Sequence, residues 1–184
     1  AVFAGDLLQA HEAGREFVRR QAMVAVDEPY DIVITTNSGF PLDQNLYQTV
    51  KGMSAAVRIV REGGHIIMAG ACEDGIPDHG RYLELLVEGG SPQGVLDMLA
   101  RPGFGEQDQW QVQIQALIQL QAEVHVYSDG LSDEQIRRAL FTPCGDIAAT
   151  VKRLAEEIGP SGAPGQVCRI CAMPEGPQTI AYLR

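Results

Sequence analysis

Apolar and polar positions alternate along the chain in two periods, and the switches between them outline an alternation of strands and helices. Leu7, Leu8, His11, Phe17 and Val18 form a loose apolar stripe with charges between, which predicts a helix over Asp6–Arg20. Ala22–Val26 reads as a short strand that Pro29 breaks, and Asp31–Thr36 (DIVITT) as a compact β-branched strand. The segment Asn37-Ser38-Gly39-Phe40-Pro41 is a loop by composition. A helix is predicted from about Leu42 to Arg61, stopped by Gly63-Gly64. His65–Ala71 is the next buried strand. Loop residues Glu73–Gly80 and helical segments near Arg81–Val87 and Pro92–Leu99 follow, with a turn at Arg101-Pro102-Gly103. Gln107–Ala122 is a Gln-rich helix and Glu123–Tyr127 a strand. Ser132-Asp133-Glu134-Gln135 resembles a capped start for a helix through Ala139. Asp146–Ile158 is a further helix, Gly159–Gly165 a loop and Gln166–Met173 a last strand.

The strands are near-continuous apolar runs, as in sheets covered on both faces. The expected fold is therefore α/β, a three-layer sandwich with a mostly parallel sheet flanked by helices, in a single domain over 1–184. Ligands of such sheets bind beyond the carboxyl ends of the strands. That directs attention to the loops after Thr36, Ala71 and Tyr127.

Composition narrows the partners. The 184 residues hold 14 basic and 24 acidic side chains, a formal charge of -10, with no basic run. Nucleic acid and anionic membrane surfaces need clustered cations, so neither is an expected partner. No stretch approaches the ~20 apolar residues that span a bilayer. The opening residues show no basic-then-apolar leader pattern. The chain lacks an initiator Met and opens within ordered-looking structure, as an excised fragment or a processed terminus would. The four cysteines are Cys72, Cys144, Cys168 and Cys171. The Cys168/Cys171 pair lies in a strand-like run, not at a helix start where a reactive thiol is favoured. The four are expected to be reduced structural thiols, which fits a cytoplasmic compartment.

The most informative stretch is Asp31–Met53, where a strand, a Gly/Pro turn and a helix put a helix N-terminus at the ligand-binding rim. Leu46, Val50, Met53, Val57 and Val60 share one face of that helix. Asp43, Tyr47 and Lys51, flanked by Gln44 and Gln48, share the opposite arc. A cation, a phenol and two amides in one stripe suit a small oxygen-rich anion. The same stripe also reads as a solvated helix face, and Asp43 as a simple N-cap.

Gly39-Phe40-Pro41-Leu42-Asp43-Gln44-Asn45 followed by Tyr47-Gln48-Thr49-Val50-Lys51 closely resembles the C-terminal domain of the nickel-dependent lactate racemase family. Gly63-Gly64 before an apolar strand, Asp108-Gln109-Trp110-Gln111 and the closing Pro174-Glu175-Gly176-Pro177 extend the resemblance from about Phe3 to the end. It implies a 2-hydroxyacid racemase or epimerase that works by reversible hydride transfer to a nickel-pincer nucleotide. The tether lysine, nickel histidine and two catalytic histidines would lie on an N-terminal domain outside this chain, which would be this domain's partner. By motif match, Lys51 would bind the substrate carboxylate. Tyr47, Gln48 and Lys51 would also contact the cofactor, Tyr47 and Gln48 lining the shared pocket and Trp110 its wall, although the only Trp could equally be core. No catalytic residue and no metal ligand is expected here. His11, His65, His79 and His125 show no ligand spacing, and the second lysine, Lys152, sits in a late helix. This chain alone is expected to be inactive and to retain no cofactor. The alternative, from the residues themselves, is a stand-alone α/β module that binds a small anion at the Thr36–Asp43 loop without catalysis. Which hydroxyacid is used and the oligomeric state are not readable.

Overall fold

This computed structural model describes residues 1–159 and 167–184. Beyond Gly159, the loop expected over Gly159–Gly165 lies outside the described residues. Helices and strands alternate as α1 (Leu7–Ala22), β1 (Met23–Val26), β2 (Tyr30–Thr36), α2 (Leu46–Ala56), β3 (Val60–Ala69), α3 (Tyr82–Gly89) and α4 (Pro92–Leu99). The second half runs α5 (Gln109–Gln121), β4 (Ala122–Tyr127), α6 (Asp133–Arg138), β5 (Thr142–Pro143), α7 (Ile147–Ile158), β6 (Ile170–Met173), a 3-10 turn (Gly176–Gln178) and β7 (Ile180–Leu183).

β2 to β6 form one five-stranded parallel sheet in the order β5-β4-β3-β2-β6. Val33, Ile66, Met68, Val124 and Val126 point to one face, where Leu46, Val50 and Met53 of α2 and Val112 and Ala116 of α5 meet them. Ile32 and Ile67 point to the other, against Leu154 of α7. Two buried faces explain why the strands read as continuous apolar runs. The expected α/β three-layer architecture is the observed one.

β1 and β7 make a separate two-stranded parallel sheet. α1 is capped by Asp6, whose Oδ1 accepts from the N–H groups of Leu8 and Gln9, both at 3.1 Å. It buries none of its residues, and Leu7 and Leu8 lie open to solvent. Among the described residues the stripe is largely exposed, with Phe3 packed against Phe17, ring centroids 5.7 Å apart.

Several boundaries differ from expectation, among them the last strand, expected over Gln166–Met173 and running Ile170–Met173. The predicted helix Leu42–Arg61 shrinks to Leu46–Ala56, because residues 37–45 fold as a bound loop and Val60 and Arg61 already belong to β3. Gly63-Gly64 is no helix stop. It lies where β3 carries extra residues, since Tyr30 pairs with Val60 but Ile32 with His65. β5 and β7 are additional short strands.

Candidate active-site face

The loop after β2 is held by side chains on both sides. Asn37, almost fully buried, accepts from the Gly52 N–H at 3.0 Å through Oδ1 and donates through Nδ2 to the Leu42 carbonyl. Asp43 is also buried. Its Oδ2 accepts from the Ala71 N–H at 3.0 Å, and its carbonyl accepts from the Cys72 N–H at 3.0 Å. Asp43 therefore ties the loop to the end of β3 and does not share the α2 stripe. The cap of α2 is Asn45, whose Oδ1 accepts from the Gln48 N–H at 3.1 Å. An Asn with Gln three positions on is a start signal legible in the letters.

Gly52 allows α2 to lie against the strand end. A Cβ there would stand 2.5 Å from the Thr36 carbonyl oxygen, and one on Gly176 would stand 2.5 Å from the same atom. The Thr36 hydroxyl donates to the Pro174 carbonyl at 2.6 Å. The segment after β6 is thus stitched to the loop after β2. β3 lies on one side of β2 and the later-formed β6 on the other, so this junction is the topological switch point of the sheet.

Leu46, Val50 and Met53 go into the core, which leaves Tyr47, Gln48 and Lys51 on the outer flank of α2. Lys51 is exposed, and its Nζ donates to Gln48 Oε1. The Tyr47 ring is half-buried and contacts two rings edge-on, Tyr82 with centroids 5.3 Å apart and Trp110 at 5.8 Å. Gln111 Nε2 donates to the Tyr47 carbonyl at 2.7 Å and fixes α5 to α2. Burial, and then the Asp108 carboxylate, raise the Tyr47 hydroxyl above its ordinary range, so it stays a neutral donor. Trp110 is 52% exposed, so it lies at the surface and not in the core.

Tyr47 and Gln48 line a depression of about 210 Å³ with Asn45, His79, Gln107 and Asp108. Lys51 lines another of about 380 Å³ with Ser54, Arg58, Pro177 and Thr179, between α2 and the segment after β6. The Gln48–Lys51 hydrogen bond joins the two. The predicted trio therefore sits side by side on one flank, spread over two hollows instead of one cleft. A larger concavity of about 570 Å³ lies between the two sheets near Tyr30, Arg169 and Met173, and holds none of these residues.

The rim expected for a small anion reads differently. The hollow of about 370 Å³ beyond β2, β3 and β4 is lined by Thr36, Ser38, Asp43, Tyr127 and Asp129 among others, with no Lys or Arg. The start of α2 lies beyond it, and its N–H groups at Leu46 and Gln48 are bound to the Gly75 carbonyl and Asn45. Neither feature favours an anion at that loop.

His11 and His79 are exposed. His65 and His125 meet across β3 and β4, with Nδ1 and Nε2 3.3 Å apart, a pairing invisible without the strand register. Burial lowers both rings from the usual histidine range and outweighs the nearby Glu123, which acts in the opposite sense. All four cysteines are free thiols. Burial pushes Cys72 up to about 11, and Cys168 and Cys171 are half-buried and also raised by burial.

The family model described as "Lactate racemase C-terminal domain" matches residues 25–180. The chain belongs to the lactate racemase C-terminal domain family. It is 40% identical over 158 residues to the lactate racemase of Thermoanaerobacterium thermosaccharolyticum, covering 85% of this chain and 36% of that protein. To the lactate racemase of Lactiplantibacillus plantarum it is 36% identical over 177 residues, covering 95% and 40%. The chain thus spans well under half the length of these relatives. The structure of the Thermoanaerobacterium thermosaccharolyticum lactate racemase apoprotein superposes with a TM-score of 0.81 at 36% identity, over 94% of this chain and 40% of that one. A Thermotoga maritima protein, 12% identical with a TM-score of 0.61 over 96% of this chain and 42% of its own, shares the fold. No helix among the described residues is long and apolar enough to cross a membrane.

Proposed function

We propose that this domain is the cleft-closing part of a 2-hydroxyacid racemase or epimerase, and that its α2 flank receives the substrate carboxylate. The observation that carries this reading is the exposed Lys51 ammonium, hydrogen-bonded to Gln48 on the α2 flank that also carries Tyr47 and its edge-on contact with the exposed Trp110. A charge-assisted contact from Lys51 would orient the carboxylate without changing its charge. Tyr47 and Gln48 offer hydrogen bonds to the 2-hydroxyl side, and Trp110 covers the site from water.

The flank offers two cations, Lys51 and Arg58, together with amides, a phenol and an indole, with His79 as the one histidine among the described residues that line it. That set fits contact with the acid and with the organic part of a nucleotide cofactor, not a metal coordination sphere. In the full-length protein the nickel-pincer nucleotide supplies the hydride acceptor, and this chain's residues position the acid and exclude water. The proton-transferring groups belong to the N-terminal domain.

The test is racemisation by the full-length protein after cofactor loading, over a panel of chiral 2-hydroxyacids and the corresponding 2-hydroxyamides. Turnover of at least one acid, with amides rejected and that discrimination lost in Lys51→Ala, supports the reading. Equal preference for amides in the unmodified protein overturns it.

A further inference from the structure

His65 and His125 take no part in the proposed racemase flank, and they meet a glutamate on the other face of the sheet. β3 and β4 pair in parallel with His65 opposite Glu123, and His125 follows Glu123 by two residues. All three side chains therefore leave the sheet on its α7 side. Among the described residues, this is the one group of three or more His, Cys, Asp or Glu whose ligand atoms lie within 4.8 Å of one another. His65 Nδ1 is 3.3 Å from His125 Nε2 and 3.6 Å from Glu123 Oε2, and His125 Nε2 is 3.7 Å from Glu123 Oε1.

These separations have a chemical meaning. A tetrahedral zinc with bonds of about 2.0–2.1 Å holds its ligand atoms roughly 3.3–3.4 Å apart. Two imidazole nitrogens and a carboxylate already stand close to that spacing. His125 is 1% exposed, and its Nδ1 has no hydrogen-bond partner, so the ring's polar bonding runs through Nε2 toward His65 and Glu123. Thr142 Oγ1 donates to Glu123 Oε1 at 3.0 Å, the kind of outer contact that orients a ligating carboxylate. The Glu123 side chain is half-exposed, which leaves an entry path and room for water. Two cations are felt at the cluster. Arg153 of α7 acts on both rings and is itself paired with Glu157 at 2.8 Å, and Arg61 acts on His65 and is paired with Asp31.

The geometry points to a binding site for a zinc-type divalent ion formed by His65 Nδ1, His125 Nε2 and the Glu123 carboxylate, with water completing the coordination. The ion would pin β3 to β4 on the α7 side of the sheet. It is independent of the α2 flank and of the racemase reading.

Tag-free, chelator-stripped chain is titrated with zinc against a chromophoric competitor, and with cobalt(II) as a spectroscopic probe. The site predicts one equivalent of either metal and the visible absorption of tetrahedral cobalt without a thiolate charge-transfer band. Glu123→Gln and His65→Ala should each weaken binding at least tenfold while circular dichroism stays unchanged. Glu123 is on the surface, so its variant folds even if a change at the buried histidine does not. Absence of stoichiometric binding by the folded chain, a thiolate band that places the metal on cysteine, or unchanged affinity in Glu123→Gln and His65→Ala overturns the assignment.

Discussion

Lys51 and Trp110 show how much a residue's surroundings add to its identity. A lysine on an amphipathic helix is ordinarily a solvated charge. Here its ammonium is turned onto Gln48 Oε1 beside a tyrosine held edge-on between two rings. Trp110 read equally well as core or as wall, and its 52% exposure takes it out of the core. Trp110→Ala removes the buried half of the side chain and its contact with Tyr47, so it should cost about 1–3 kcal/mol of stability and lower the full-length protein's kcat. Urea unfolding beside steady-state kinetics checks both, and a larger stability loss would return Trp110 to the core. Tyr82 is the reverse case. It is fully buried, and its hydroxyl donates to the equally buried Gln115 Oε1. Tyr82→Phe leaves that oxygen without its donor and should cost about 1–3 kcal/mol, readable as a lower urea midpoint.

Elements fix where such residues stand. Gly52 touches the Thr36 carbonyl and Gly176 packs on the same atom, so α2, β2 and the segment after β6 meet with no space for a methyl group. Gly52→Ala should destabilise by about 1–3 kcal/mol through overpacking, and the shift of α2 should raise KM in the full-length protein. At the opposite end of β2, burial raises the Asp31 carboxyl, but the Arg169 N–H at 2.8 Å and the Arg61 guanidinium at 2.6 Å outweigh it and hold the group below its ordinary value of 3.8. The folded pKa is depressed, so this stabilisation is present above the unfolded value and is lost as pH falls through the folded one. Asp31→Asn should flatten that acid limb, measured as urea stability between pH 7 and pH 3. The strand-helix alternation was legible because each buried strand is a continuous apolar run. The ends of α2 were not, because Val57 and Val60 fit a helical stripe as well as a strand entry, and only the pairing of Tyr30 with Val60 chooses. Asn45 as cap was available in the letters, three positions before Gln48. The two-residue β5 and the pairing of β7 with distant β1 left no local signal. The meeting of His65 with His125 likewise depends on register, which apolar runs do not specify.

At the scale of the molecule, the parallel sheet and its switch point set the α2 flank at the surface, and nothing among the described residues closes over it. Tyr47 and Gln48 line one hollow and Lys51 another, and no residue of α1 is buried. The curated relatives are more than twice as long as the segment they share with this chain. A flank that binds the acid but lacks the proton-transferring groups should not turn over substrate by itself, and the isolated chain mixed with D- or L-lactate should leave its optical rotation unchanged. The most direct test of the central claim is kcat/KM for lactate racemisation by the cofactor-loaded full-length protein with and without Lys51→Ala. Loss of the carboxylate's charged partner predicts a fall of roughly 100-fold or more, and a value within twofold of the unmodified protein would contradict the account.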